Sequence, residues 1–424
     1  MSPAAAPPRR ALVLALLCAA GCAQPPPEDG PPNGRLEILG PFLDVYWQRP
    51  VPAQGEAPAG FSQVEASLDP AVCGACHPEQ LAQWRSSLHA GAFSPGFSGQ
   101  LVEGSLARPR PLRHCQSCHA PLEEQQPVLA SGEPSPRFDA SLREQGIVCA
   151  SCHVREHRRF GPPRRPDRPE PVGAVAHGGF EARPEFQQAR FCATCHQFFD
   201  QEGPAGKPVE NLFVEWRESP QAAEGRTCQS CHMPDRAHTW HGLHDPQMVR
   251  DAVEVRLHDV RVEGGRVRSA LELHNRDVGH AFPSYVTPRV LLAVWQADAG
   301  GREIADTRSE GVIGRQIDFR RRPAAEVFDT RVLPGRSFRH DYDAPLDPRA
   351  ASLSAEVVVD PGHHYRGVYQ RLLGRYDDAH ALAKIEEALR RVERARYVLE
   401  RFERPLPGAG QARGAGDAGG TPAT

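Results

Sequence analysis

The sequence predicts an α+β chain: helices and loops over residues 70–247, a small β-sandwich over 248–362, and a C-terminal amphipathic helix within 363–404. Three observations predict it. Five Cys-x-x-Cys-His repeats fall between residues 73 and 232 of this 424-residue chain. Runs of alternating apolar residues, separated by turn residues, follow them. Apolar residues then recur at helical spacing ahead of a low-complexity tail.

The first 21 residues read as a secretory signal. Arg9 and Arg10 form a charged region, and residues 11–20 are an apolar stretch too short to span a bilayer as a stable helix. Ala19-Ala20-Gly21-Cys22 resembles a bacterial lipobox, which implies cleavage before Cys22 and lipidation of its thiol. Ala19 stands where Leu is commoner, so cleavage without a lipid stays open. Residues 23–34 are a Pro-rich tether, and 35–69 lead into the repeats. No other stretch reaches 18 apolar residues, so the mature body is expected to be soluble and tethered at most by lipid. A net charge of -3 gives no case for nucleic acid.

The repeats are Cys73-x-x-Cys76-His77, Cys115-x-x-Cys118-His119, Cys149-x-x-Cys152-His153, Cys192-x-x-Cys195-His196 and Cys228-x-x-Cys231-His232. Cys-x-x-Cys-His is the attachment signature of c-type haem. The two thiols add across the vinyl groups of one haem, and the adjacent His ligates its iron. Of the 12 Cys, only Cys18 and Cys22 lie outside the motifs, so none remains for a disulfide between motifs. A zinc or disulfide scaffold would not require His after every second Cys. Residues 70–247 are therefore expected to form a pentahaem c-type cytochrome core with five covalently attached haems c. Motif starts at 73, 115, 149, 192 and 228 leave room for a helix and a turn per haem, so the haems must share one core.

Nineteen His less the five in the motifs leaves fourteen, while Met occurs three times. Bis-His ligation, and hence low potential, is expected at most haems. His89 is a candidate sixth ligand on a helix after the first motif. His238, His241 and His244 follow the last motif at i, i+3, i+6 spacing. His280 lies on a loop after a strand, from which it could reach the haem core out of the β-domain. His177 is flanked by glycines that let backbone approach a cofactor. His114 is placed to serve a neighbouring haem or none. His157, His258, His274, His340, His363, His364 and His380 are read as background.

In the β-region, VEVRLHDVRV, Gly264-Gly265 and RVRSALELHN read as a hairpin, and RVLLAVWQAD, RSFRHDYDAP and SLSAEVVVDP as further strands of a sandwich. Residues 366–402 read as helical, with Leu382, Ile385, Ala388, Leu389, Val392, Ala395, Val398, Leu399 and Phe402 recurring at helical spacing. Residues 405–424 read as disordered.

The run from Cys73 to His77, Trp84-x-x-Ser87-x-His89-Ala90, and CQSCHAP at 115–121 resemble the multihaem cytochrome c superfamily of the nitrogen cycle. That superfamily includes the tetrahaem carrier of hydroxylamine oxidation and the pentahaem nitrite reductases. Gly279-His280-Ala281-Phe282-Pro283 is similar to a motif of multihaem proteins with a C-terminal β-domain. The resemblance covers residues 70 to about 290 and implies stacked and perpendicular haem pairs. It departs where catalysis would begin. Pentahaem nitrite reductases carry a Cys-x-x-Cys-Lys motif, whereas every motif here ends in His. Hydroxylamine oxidoreductase-type sites use a Tyr, and in sequence none of the seven Tyr sits beside a motif.

The expected function is electron transfer in the bacterial cell envelope, with envelope redox donor and acceptor proteins as partners and the membrane reached through the Cys22 lipid. Two alternatives stay open. One is a reductase of nitrite or hydroxylamine at a five-coordinate haem; the other is a relay or docking subunit of an envelope redox complex.

Overall fold

The computed structural model describes residues 33–104, 109–167, 176–199 and 203–407. The signal segment, Cys22 and nearly all of the predicted tail lie outside them.

The N-terminal half is built from short helices. Asn33–Tyr46 is broken at Gly40, whose φ of 72° favours glycine and which precedes Pro41. Its Leu39, Leu43 and Tyr46, with the following Trp47, are buried against Val148, Ala150, Phe186, Ala189 and Ala193. The lead-in thus caps the third and fourth motifs from one side. The motifs lie at helix ends: Pro109–His119, Cys149–His153, Arg190–His196 and Cys228–His232 all stop at the motif histidine. A β-strand pair, β1 (Val154–Arg155) and β2 (Arg158–Gly161), follows the third motif, and β3 (Glu181–Ala182) runs parallel to β2.

The C-terminal half is a sandwich of two four-stranded sheets. One contains β4 (Val253–Leu257), β5 (Arg261–Glu263), β6 (Arg266–Asn275) and β11 (Ser337–Pro345); β4, β5 and β11 all pair with β6. The β5–β6 turn is Gly264-Gly265, with φ of 58° and 72°, values that a two-residue hairpin turn of type I′ requires at both positions. The other sheet runs β13 (Tyr397–Pro405), β12 (Ser352–Asp360), β7 (Arg289–Ala297), β8 (Ser309–Ile313). A separate hairpin joins β9 (Arg315–Asp318) to β10 (Ala325–Asp329). Inward residues of both sheets share one core: Val267, Leu271, Leu273 and Tyr342 from one, Val290, Leu292, Val294, Leu353, Val357 and Leu399 from the other.

The end of the chain corrects the sequence reading. Residues 366–402 are not one helical segment. Helices His363–Leu373 and Ala379–Arg394 form a hairpin, and Tyr397–Pro405 is strand β13, paired antiparallel with β12 from Ser352↔Pro405 to Val359↔Tyr397. Val398, Leu399 and Phe402 fit a helical stripe as a continuation of Ile385 and Ala388. A short apolar run satisfies either period, and ladder bonding to β12 decides for the strand. The sandwich therefore extends past 362 to include β13. The helical hairpin is an excursion between two neighbouring strands, and it reaches back to the helix Pro95–Gly104. Ile385 packs on Gly99, and Tyr369 and Ala388 pack on Gly96, where side chains would collide.

Two polar joints fasten the sandwich to the helical half. Arg315, with no exposed side-chain surface, pairs with Glu326 at 2.8 Å and donates to the carbonyls of Pro204, Lys207 and Pro208. Arg331 pairs with Glu215 at 3.0 Å and Asp329 at 2.9 Å.

Candidate haem-binding site

Covalent attachment needs thiols brought to one place, and the fold does this across motifs. The thiols of Cys73 and Cys149 are hydrogen-bonded neighbours, as are Cys118 with Cys195 and Cys192 with Cys228. Motif one therefore lies beside motif three, two beside four, and four beside five. In each couple one thiol is acidified by its neighbour's bond, Cys73 to about 7, and the other, Cys149, is raised. Cys152 is pushed up to about 11 by burial, and Cys76 and Cys231 complete their motifs as free thiols.

Iron ligation through Nε2 needs a neutral ring with Nδ1–H held elsewhere. His119 Nδ1 lies 2.7 Å from the Ala92 carbonyl, His153 Nδ1 2.7 Å from that of Phe160, and His232 Nδ1 2.6 Å from that of His241. A carbonyl only accepts, so these Nδ1 atoms donate and Nε2 keeps its lone pair. His196 Nδ1 meets the Tyr285 hydroxyl at 2.6 Å.

Three motif histidines face a second imidazole. Ring centroids are 6.4 Å apart for His196 and His89, 6.2 Å for His153 and His238, and 6.4 Å for His232 and His280, the last pair nearly parallel at 12°. Two imidazoles on opposite sides of one metal, with roughly 2 Å per metal–nitrogen bond, have centroids about 6 Å apart. Burial pushes His89 down to about 3 and His238 and His280 to about 4, so all three are neutral as ligation requires. His238 also leaves a buried Nδ1 with no partner, an orphaned atom that suits a metal site. Trp240 is wedged edge-on against His89 at 4.5 Å and His238 at 5.2 Å, steadying both rings. The donor set, its protonation and its spacing fit haem c.

The remaining candidates fall elsewhere. His241 gives His232 its carbonyl, while its own ring pairs with Asp245 at 2.7 Å. His177 Nδ1 donates to the Gly179 carbonyl, 2.8 Å away, and its amide donates to the Glu65 carboxylate, whose backbone carbonyl accepts from Arg159 near Cys73. His244 has no ring contact among the described residues, and neither His77 nor His119 has an imidazole opposite it there.

Sequence reasoning missed several groups. No Tyr adjoins a motif along the chain, yet Tyr285 bonds His196 across 89 residues, and the Tyr46 hydroxyl donates to the Cys152 carbonyl at 2.8 Å. Burial, reinforced by Cys118 and opposed by Arg49, pushes Glu210 up to about 8. His364 is lowered to about 4 by burial and has an unpartnered Nε2. None of these carries a local signal, because each acts through a contact distant in sequence.

The family model for cytochrome c554 and c-prime matches residues 72–159. The fold is similar to the crystal structure of a penta-heme cytochrome c552 from Thermochromatium tepidum. That match has a TM-score of 0.52 and 17% identity, and covers 81% of this chain and 100% of that one. The structural genomics target SoR45 matches 37% of this chain and 86% of that one at 13% identity, with a TM-score of 0.17 that carries no argument. No curated protein matches. Among the described residues no helix is long and apolar enough to cross a membrane. The matched family and the fold together support a multihaem c-type cytochrome.

Proposed function

We propose that this protein transfers electrons along five closely spaced haems c, most of them bis-His and of low potential, in the bacterial cell envelope. The observation that carries the proposal is the set of three facing imidazole pairs, His89–His196, His153–His238 and His232–His280. When bound, each haem takes up and gives back one electron. The chain's part is to place the haems, occupy their axial positions and tune their potentials. With both histidines of a pair as its ligands, an iron held there would have no place left for substrate. The contacts between motifs one and three, two and four, and four and five keep the centres within one core. Export, and tethering through a lipid on Cys22, rest on the N-terminal sequence; redox donor and acceptor proteins of the envelope follow as partners.

A reductase of nitrite or hydroxylamine is the second reading. The observation that favours it is that neither His77 nor His119 faces an imidazole among the described residues. Protein-film voltammetry separates the two. The electron carrier gives reversible one-electron waves that nitrite and hydroxylamine leave unchanged. A catalytic current on adding either compound overturns the carrier in favour of the reductase.

A further inference from the structure

His280 comes from the β-sandwich, yet it faces His232 of the fifth motif, and the loop that carries it is clamped at three points. Asn275, fully buried at the end of β6, donates from Nδ2 to the carbonyls of His280 at 3.1 Å and Val332 at 2.9 Å, and its Oδ1 accepts from Val278 N at 2.9 Å. Glu215, on the helix Leu212–Arg217, accepts from Ala281 N at 3.2 Å and is itself held by Arg331 at 3.0 Å, both side chains being under one tenth exposed. Asp277 pairs with Arg226, with one oxygen at 2.9 Å; Arg226 precedes the fifth motif by two residues and also contacts Cys231 Sγ at 3.5 Å. Between these points Gly279 lies against Trp216 and Gln221.

The three points differ in what they tie. Asn275 shapes the loop from within the sandwich. Glu215 fixes it to the helical half, and Asp277 fixes it to the motif whose histidine it faces. A sixth ligand carried on a separate structural unit is held only as firmly as that unit is seated, because a ring displaced by about 1 Å no longer reaches its metal.

We propose that Asn275, Glu215 and Asp277 are positioning residues that hold His280 as sixth ligand opposite His232, so that seating of the β-sandwich sets the coordination of the fifth haem. This rests on the ligand pairing proposed above.

The test compares the full-length, haem-loaded protein with His280→Ala, Asn275→Ala, Glu215→Gln and Asp277→Ala, counting irons open to carbon monoxide in the reduced state. His280→Ala is expected to gain one carbon monoxide-binding haem per chain, and added imidazole to reverse the gain. The clamp variants are expected to keep the wild-type haem content and to raise the open fraction at that haem by ~10-fold or more, the usual consequence of losing a partner behind a ligand. If His280→Ala gains no open iron, the pairing itself is wrong. If it gains one while Asp277→Ala and Glu215→Gln match wild type, the pairing stands and the clamp is overturned. Asp277 is 42% exposed, so its variant tests the clamp even if Asn275→Ala fails to fold.

Discussion

At the scale of single residues, the fourth motif differs from its neighbours in what its histidine bonds. His119, His153 and His232 donate to backbone carbonyls, while His196 meets a phenol hydroxyl. An acceptor at Nδ1 adds imidazolate character and stabilises oxidised iron. Tyr285→Phe removes this acceptor and is expected to raise the potential of that centre by on the order of 40 mV, the one-electron equivalent of about 1 kcal/mol of hydrogen bonding. A spectroelectrochemical titration reads the shift, and an unchanged set of potentials counts against the bond. Asp360 gives a stability prediction with a pH sign. Burial alone would raise its carboxyl, but the bonds from His363 and Arg366 overcome this and hold it down to about 2. A depressed folded pKa stabilises above the ordinary carboxylate value near ~3.9 and loses that contribution as pH falls toward about 2. Asp360→Asn is expected to cost roughly 3 kcal/mol near neutral pH, since it strips a buried carboxylate from Arg366, which holds it through two bonds of 2.7 Å. The deficit relative to wild type should shrink between pH 4 and 2 in acid unfolding followed by circular dichroism.

The motif cysteines and histidines are legible in sequence because attachment chemistry fixes their spacing within five residues. His280 is legible as a candidate, because a His on a loop after a strand signals reach. Its partner His232 and its clamp are not, since Glu215 and Arg331 come from different halves of the chain. Tyr285 is illegible for the same reason, and because it follows a proline-containing turn rather than a motif.

At the scale of elements, the close approach of helices is decisive. Gly96 and Gly99 let the hairpin of His363–Leu373 and Ala379–Arg394 lie on Pro95–Gly104, with Ile385 and Tyr369 in the gap. Gly99→Leu is expected to cost about 1–3 kcal/mol through overpacking and to loosen the hairpin while the sandwich core persists. Hydrogen exchange checks this: faster exchange confined to 363–394 is the expected pattern, and faster exchange in β7 and β12 as well contradicts it. The same element shows where periodicity misleads. Within the stretch 366–402 expected to be helical, Ala379–Arg394 is a helix that buries Ala381, Ile385 and Ala388, but the stripe continues numerically into Tyr397–Pro405, where pairing with β12 makes a strand. The glycine pair at 264–265, by contrast, is readable because only a tight turn demands two positive φ values in succession.

For the whole molecule, the helical half holds the motifs and the sandwich returns to that half twice, through His280 facing His232 and through the helical hairpin lying on Pro95–Gly104. Arg315 and Arg331 make the junction polar and buried, so the two halves meet in one orientation. Five motifs, three facing imidazole pairs and the contacts between motifs are what the proposed row of bis-His haems rests on. The most direct test of that account is low-temperature EPR with spin counting on the fully oxidised protein, with haem content measured on the same sample. The account predicts that at least three haems of five are low-spin with bis-imidazole signatures. A protein in which most of the iron is high-spin, or in which the low-spin signals disappear on adding nitrite or hydroxylamine, would contradict it.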